Sequence, residues 1–325
     1  MKPTHARVLV TGGNGFVGTW LRRALRQVYG GQCEIFATTL NLNGTHNSEG
    51  THWCQLDLRD KLATDQLIAE IKPSSVVHLA AVTSLPEASQ NPQSAWDINF
   101  GGTMNLATAV LRHAPEARFV FVSTSAVYGG TFKVTDTPLD ETACLDPENT
   151  YACSKAAADL LVGQLAHQGL QAIRFRPFNH TGPGQDERFV IPAFASQIVK
   201  IEQAQKHNLL RVGNLEVYRD FLDVRDIVQA YVAALKDVPD FTPGMIFNLA
   251  SGQPVKIGDI LSTLLALSPT KIQVEVDPSK IRKDDILSIS GNADKARKIL
   301  HWEPQIPLSQ TLTEILETRR KAAVN

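Results

Sequence analysis

The chain has 325 residues, 43% of them hydrophobic and 20% charged, which suits one large α/β domain or one with a smaller second lobe. A net charge of -1 gives no electrostatic reason to expect nucleic acid or an anionic membrane as partner, and no apolar run approaches the length that crosses a bilayer. The four cysteines, Cys33, Cys54, Cys144 and Cys153, form no C-x-x-C pair and no cluster with histidine, so a reducing compartment is expected and a metal site is not. Met1 to Arg7 runs straight into an apolar strand and leaves no room for a signal peptide, so a soluble, cytoplasmic protein is expected.

Arg7-Val8-Leu9-Val10 reads as a short buried strand, followed at once by Thr11-Gly12-Gly13-Asn14-Gly15-Phe16-Val17-Gly18. Glycines at 12, 15 and 18 fit G-x-x-G-x-x-G, a variant of the dinucleotide fingerprint. Gly12 permits the tight turn, Gly15 lets backbone approach a pyrophosphate, and Gly18 lets the helix lie close to the strand. The helix itself is amphipathic, with Val17, Leu21, Leu25 and Val28 in a stripe and Arg22, Arg23 and Arg26 outside it. Strand before and amphipathic helix after is the context that gives the motif its meaning.

A second strand is expected at 34–40. Its end, Thr38-Thr39-Leu40-Asn41, lacks the carboxylate that commonly accepts from the ribose 2′-hydroxyl of NAD. Nothing there repels a 2′-phosphate, and Arg22 or Arg23 is within reach by sequence, so NADP is preferred slightly over NAD. Leu56-Asp57-Leu58 ends a third strand, where Asp57 is placed to accept from an adenine amino group; the alternative is that Asp57 or Asp60 caps the next helix. A fourth strand, 75–81, is apolar throughout, as a strand covered on both faces should be. His78 inside it reads as a satisfied core histidine, and the small Ala80 and Ala81 let a cofactor pass over the strand's end. A helix spans about 91–114, with Asn99 bonding backbone, and Arg118 to Val122 is the fifth strand, ending at Ser123-Thr124-Ser125.

Tyr151-Ala-Cys-Ser-Lys155 opens a run to His167 that reads as a helix. Residues four apart share a helix face, so the phenol and the ammonium point the same way. A free tyrosine titrates near pKa ~10, and a neighbouring cation lowers it, which suits proton transfer to or from a sugar oxygen. The same spacing also arises by chance in helices. Strands alternating with helices imply a doubly wound parallel sheet of the Rossmann type, with ligands beyond the strands' carboxyl ends. Thr124 and Tyr151 both fall on that side.

Together Gly12, Gly15, Gly18, Thr124, Tyr151 and Lys155 resemble the extended short-chain dehydrogenase/reductase superfamily, in its nucleotide-sugar branch. The resemblance extends to Asp57-Leu58, Ala80-Ala81, the run 123–129 and Arg219-Asp220-Phe221-Leu222-Asp223-Val224-Arg225-Asp226. It implies Tyr151 as acid/base, Lys155 holding the nicotinamide ribose and lowering the phenol's pKa, and Thr124 bonding the reacting oxygen. It also places Asn14, Phe16, Val17, Thr39, Leu79 and Pro177 beside the cofactor. Thr83, Ser125, Ala126, Arg188, Val190 and Asp285 fall beside the substrate. Sugar 4,6-dehydratases carry one or two carboxylates just after the threonine. Here those places hold Ser125 and Ala126, neither strong enough to remove a carbon-bound proton, which argues against that reaction.

Arg176-Pro177-Phe178-Asn179-His180-Thr181-Gly182-Pro183-Gly184-Gln185 follows another strand and resembles the signature of GDP-6-deoxy-4-keto-mannose reductases. That resemblance implies Asn179 on substrate phosphate and His180 near the sugar; His180 reads equally well as a loop brace. Arg219 suits pyrophosphate, or an ion pair with Asp220, while Asp223 and Asp226 brace the following helix. Met245 to Ala250 is strand-like, and Ile272 to Val276 is taken as its partner. Arg282-Lys283-Asp284-Asp285 resembles the family's Arg-Pro-x-Asp segment, with Lys283 in place of proline. Residues 1–178 are expected to form the nucleotide-binding domain and 179–325 mainly a smaller α/β substrate lobe, with parts of 209–250 returning to the first. The expected activity is reduction of the C4 ketone of a nucleotide-diphosphate 4-keto-6-deoxy sugar. An NDP-sugar 4-epimerase with tightly bound NAD, a dehydratase and a non-catalytic NADP-sensing protein are the alternatives. A homodimer is what the resemblance implies.

Overall fold

The computed structural model describes residues 6–43, 45, 50–204, 208–281 and 285–324. In the first half, strands β1 (Ala6–Thr11), β2 (Cys33–Thr39), β3 (Thr51–Gln55), β4 (Ser75–His78), β5 (Arg118–Val122) and β6 (Ala172–Pro177) come in sequence. Between them lie α1 (Phe16–Tyr29), α2 (Lys61–Ile71), α3 (Leu85–Gln90), α4 (Pro92–Trp96), α5 (Thr103–His113) and α6 (Thr150–His167). The second half holds β7 (Asn179–Thr181), α7 (Val190–Ala204), β8 (Leu209–Val212), β9 (Tyr218–Asp223), α8 (Val224–Ala234) and β10 (Met245–Leu249). It closes with β11 (Pro254–Lys256), α9 (Ile257–Ala266), β12 (Gln273–Val276), β13 (Ser288–Ile289), α10 (Asp294–Leu300) and α11 (Leu308–Val324).

Seven strands form one parallel sheet in the order β10-β6-β5-β4-β1-β2-β3. The order in which strands are added switches sides between β1 and β4, and such a switch point opens a crevice beyond the strands' carboxyl ends. Apolar residues of α1 and α8, among them Leu21, Leu25 and Ile227, cover one face, while Ile68, Val110 and Val162 of α2, α5 and α6 cover the other. A separate core beneath α7, α9 and α11, including Phe194, Leu261 and Leu316, belongs to the smaller lobe. There β9 pairs with β7, β11 and β13, and β8 pairs with β12.

Three details differ from the sequence reading. Residues 56–58 form the turn past β3 rather than its end, and the long helix of 91–114 is broken into α4 and α5 by a π-helical turn at Asp97–Gly102. The strand Met245–Leu249 pairs with β6 in the main sheet, not with 272–276. A continuous apolar run needs cover on both faces, which the main sheet provides. Strand β12, with Val274 and Val276 exposed, needs none and lies on β8 instead.

His78 is the core histidine the sequence implies. It is 1% exposed, with Nδ1 bonded to the Thr11 hydroxyl at 2.7 Å and Nε2 to the Thr103 hydroxyl at 2.9 Å. Thr11 in turn accepts from the backbone of Leu79 and Ala80, so the histidine ties β1, β4 and α5 together under the glycine turn. Burial, with the charge of Lys155 adding, pulls the imidazole down to about 3. In the unfolded chain it titrates near ~6.5, so between these values the unfolded state binds a proton that the fold excludes. This share of stability is complete above about pH 6.5 and is lost as pH falls toward 3. Denaturant unfolding at a series of pH values should show His78→Gln losing about 1.4 kcal/mol per pH unit less than the parent across that window. Equal slopes would show that His78 is not the group.

Candidate active site

The turn from β1 into α1 is built for close approach. Gly12 adopts φ +66°, and a Cβ on it would lie 3.0 Å from the backbone of Ala80. At Gly18 a Cβ would overlap the carbonyl of Gly12, so the helix reaches this closeness only with glycine. Gly15 and Asn14 are exposed, Gly15 N–H donates to Gly12 O at 3.0 Å, and α1 begins with no side-chain cap and no acid in its first turn. An uncapped helix start beside a bare backbone turn fits a pyrophosphate. Phe16 and Val17 are half-buried just behind, as are Leu79, Ala80 and Ala81 beyond β4. Leu58 is buried and Pro177 closes β6 from below. The residues present therefore fit a dinucleotide.

The residues expected at the adenosine end have partners of their own within the chain. Arg22 is 9% exposed; its Nε donates to Gly13 O at 3.0 Å and its guanidinium stacks on Trp53, so it braces the glycine turn. Arg23 lies over Trp20. Both arginines are thus engaged, Arg22 by Trp53 of β3 and Arg23 by Trp20 of its own helix. Thr39 is buried, with its hydroxyl donating to Asn41 O at 2.9 Å. Asp57 is paired with Arg59 at 2.5 Å, whose hydrogen bond holds the carboxyl below its usual range. The helix cap on α2 is Asp60, which accepts from Ala63 N.

At the other end α6 starts at the Asn149 cap and carries Tyr151 and Lys155 on one face. Thr124 begins the turn after β5, its hydroxyl accepting from Ala126 N–H at 3.2 Å and lying within hydrogen-bonding reach of the Tyr151 phenol. That turn is pinned by Gly129 at φ +44°, where any Cβ would overlap the carbonyl of Asp146. Asn99, in the π-helical turn, bonds Val82 backbone in both directions and donates to Ser154 Oγ at 3.0 Å, while Ser154 Oγ donates to Tyr151 O. The π-helical break thereby locks the start of α6 against the segment after β4.

Lys155 is 3% exposed; Nζ donates to Val122 O at 2.6 Å and sits over the Phe121 ring. Burial pulls its ammonium down to about 7, against the opposing charge of Asp159. The phenol of Tyr151 is not lowered, as the spacing suggests, but raised. Burial dominates and the Thr124 hydrogen bond only partly offsets it, while the hydrogen bond of the Lys155 ammonium goes to Val122 O. The proton therefore stays on Tyr151 at neutral pH.

Of the substrate candidates, two groups form. Arg188 reaches Glu87 of α3 at 3.4 Å and Asp186 at 3.0 Å, which brings the start of α7, with Val190 38% exposed, against the exposed Thr83 segment. Asn179 and His180 on β7 lie beside Phe221 and Leu222 of β9, the strand that carries Arg219. Asn179 is exposed, and His180 Nδ1 bonds Phe178 O at 3.0 Å. Burial holds that imidazole below its usual pKa, hence neutral. Arg219 pairs with Asp285 at 3.1 Å, not with Asp220. Asp220 is fully buried and accepts from Ser251, Gly252 and Gly291, a knot the sequence did not reveal. Ser125 is 7% exposed and Ala126 half-buried beside Thr124. Asp223 and Asp226 brace α8 and the chain's end, through Arg225, Thr311 and Ile306. Arg282 lies outside the described residues.

The sequence reading also missed Asp159, a fully buried carboxylate on the Tyr151–Lys155 face of α6, and Arg176, which binds it. A charged residue one turn beyond Lys155 in an otherwise Ala- and Leu-rich run was the available signal.

Residues 9–315 match the GDP-mannose 4,6 dehydratase family. The GDP-6-deoxy-D-mannose reductase of Pseudomonas aeruginosa is 32% identical over 317 residues, covering 95% of this chain and 96% of that protein. A UDP-glucose 4-epimerase of Rhizobium meliloti is 28% identical, covering 93% of each. A solved structure of RMD from Pseudomonas aeruginosa complexed with NADPH superposes with a TM-score of 0.81 at 31% identity, over 98% of this chain and 99% of that one.

A buried lysine with a lowered pKa loads the fold. Below about pH 7 the folded state bears the full cost of the buried charge; as pH rises from 7 toward ~10.5 the fold sheds a proton that the unfolded chain retains, and stability rises. Relative to Lys155→Met, the parent should gain stability across that interval in urea unfolding. A parallel pH dependence of the two proteins would contradict it.

Proposed function

The chain belongs to the GDP-mannose 4,6-dehydratase family, whose relatives are NAD(P)-dependent sugar-nucleotide enzymes, and from that premise we propose that it reduces the C4 ketone of a nucleotide-diphosphate 4-keto-6-deoxy sugar. The substrate best supported is GDP-4-keto-6-deoxy-D-mannose, giving GDP-D-rhamnose. A reduced nicotinamide, NADPH in preference to NADH, supplies the hydride. The chain's own residues supply the proton and the electrostatics. Tyr151 donates its phenolic proton to the oxygen at C4 as the carbonyl becomes an alkoxide, and regains it from solvent. Thr124 donates a hydrogen bond to the same oxygen, and Lys155 stabilises the phenolate left behind. Gly12, Asn14, Gly15, Phe16, Val17, Thr39, Asp57, Leu58, Leu79, Ala80, Ala81 and Pro177 hold the dinucleotide. Thr83, Ser125, Ala126, Asn179, His180, Arg188, Val190, Arg219 and Asp285 are assigned to the nucleotide sugar, and Arg282 is assigned to it on the sequence resemblance alone.

The observation that carries this reading is the full-length likeness to a GDP-6-deoxy-D-mannose reductase and to an NADPH-complexed RMD structure, with Tyr151 set beside Thr124. Reduction needs the tyrosine as an acid, and here it keeps its proton. An epimerase would begin by oxidising the sugar, with the same tyrosine as a base, and would regenerate its NAD in each cycle; the likeness to an NADPH-complexed structure favours net reduction. The absence of a carboxylate at Ser125 and Ala126 weighs against dehydration in the same way. In this reading residues 1–178, with β10 and α8 returned to them, bind the dinucleotide, the rest of 179–325 is mainly the substrate lobe, and the reacting ketone lies between them. Free thiols at all four cysteines suit a cytoplasmic enzyme. A second copy would cover the apolar surface of α4, α5 and α6, where Trp96, Met104 and Leu160 are 38%, 40% and 60% exposed.

Tyr151→Phe should lower turnover of the keto sugar about 10²–10⁴-fold, with dinucleotide and nucleotide-sugar binding by calorimetry nearly unchanged. Turnover at the parent rate would end the proposal. Leu160→Glu should elute as a monomer in size-exclusion chromatography where the parent elutes as a dimer; identical elution would remove α6 from the interface.

A further inference from the structure

Tyr151, Lys155 and Asp159 stand at i, i+4 and i+8 on α6, so all three fall on one face. The first two are accounted for by the reaction proposed above; the third is not. Asp159 is 0% exposed, and such a group is kept only when it is paired. Its Oδ1 accepts from Arg174 Nη1 at 2.9 Å and Arg176 Nη2 at 3.2 Å, and its Oδ2 accepts from Arg176 Nε at 3.0 Å. Gly163, one turn further along α6, makes room for this pairing, because a Cβ there would lie 2.6 Å from Arg174 Nη1. Arg176 is fixed on its far side by Tyr128, whose hydroxyl donates to Asn248 at 2.7 Å. The carboxylate is therefore rigid.

Lys155, one turn before it, is equally buried, yet among the described residues no carboxylate is bonded to its ammonium; its acceptor is the carbonyl of Val122. We propose that Asp159 is a positioning residue for the reaction. Locked by two arginines one helical turn below Lys155, it keeps that buried lysine protonated so that it can stabilise the Tyr151 phenolate. This rests on the reading of Tyr151 and Lys155 given above.

Besides Val122 O and the Phe121 ring, no charged group among the described residues is bonded to Lys155. Burial draws it down to about 7, and Asp159 is the charge that opposes the fall. On Asp159 itself burial acts upward, but the hydrogen bonds and charges of Arg176 and Arg174 more than reverse it, so the carboxylate stays ionised. His78 of β4 is neutral and bonded to two threonines. Tyr128, and Tyr231 of α8, are held protonated by burial. Glu87 of α3 is taken by Arg188, Asp97 by Gln93, and Arg112 and His113 of α5 by Asp65.

The test reads Lys155 directly in the dinucleotide-free enzyme, by NMR of labelled lysine side chains, with the Lys155 signal identified by its loss in Lys155→Met. The parent should titrate near about 7. In Asp159→Asn the midpoint should fall by about one unit or more, and Asp159→Glu should restore it. The alkaline limb of kcat/KM for the keto sugar should move down by the same amount. An unmoved midpoint in a folded Asn variant would reduce Asp159 to a brace between α6 and β6 and overturn the proposal. Should the Asn variant fail to fold, Arg174→Gln decides. Removing one cation from the carboxylate strengthens its field at Lys155, so the midpoint should rise, and no rise overturns the proposal. Because the titration needs no turnover, the expected shifts in a protein that reduces no ketone would sustain the role of Asp159 while ending the reading of the reaction.

Discussion

A positive charge buried beneath the ends of a parallel sheet is the constraint around which the rest of this protein is arranged. Lys155 has almost no contact with water, and a lone ammonium in such a place would give up its proton. Val122 O, the Phe121 ring and the carboxylate of Asp159 are what the fold sets against that loss. Each comes from a different piece of the molecule: the end of β5, the strand itself, and the next turn of α6. The lysine is therefore held by the sheet-to-helix packing as a whole.

The glycine turn follows β1 and the lysine bonds the end of β5, on either side of β4 in the sheet, where the strand order switches between β1 and β4. Glycine at 12 and 18 lets backbone pack against backbone, so a dinucleotide can lie low over the strands. The π-helical turn at Asp97–Gly102 then places Asn99 where it ties Ser154, and with it the start of α6, to the segment following β4. Thr124 follows β5 and opens a turn that Gly129, at φ +44° further along it, allows to pack against Asp146. What these devices share is precision bought with unusual backbone, at positions that side-chain packing could not hold.

Much of this was legible in the residues. Alternating apolar strands and amphipathic helices gave the parallel sheet, and the spacing of Gly12, Gly15 and Gly18 gave the turn, because both depend on local geometry. His78 read correctly as a core residue because an apolar strand on both sides leaves it no solvent. The pairing of Met245–Leu249 was misjudged since partner choice is a long-range matter, decided by which sheet can cover both faces of an apolar run. The rise in the Tyr151 pKa was missed for a related reason: spacing shows that a cation is near, but not that it is turned toward Val122. Arg22, Arg219 and Asp220 each found partners far away in sequence, Trp53, Asp285 and Gly291, which no pattern announces.

The most direct measurement follows the hydride. The protein is incubated with GDP-4-keto-6-deoxy-D-mannose and NADPH carrying deuterium at both C4 positions of the nicotinamide, and the product is read by NMR and mass spectrometry. Reduction at C4 places one deuterium on that carbon for each NADPH consumed. A protein that interconverts UDP-sugars at C4 while consuming no NADPH, and leaves the keto sugar untouched, would be an epimerase built on the same tyrosine and lysine.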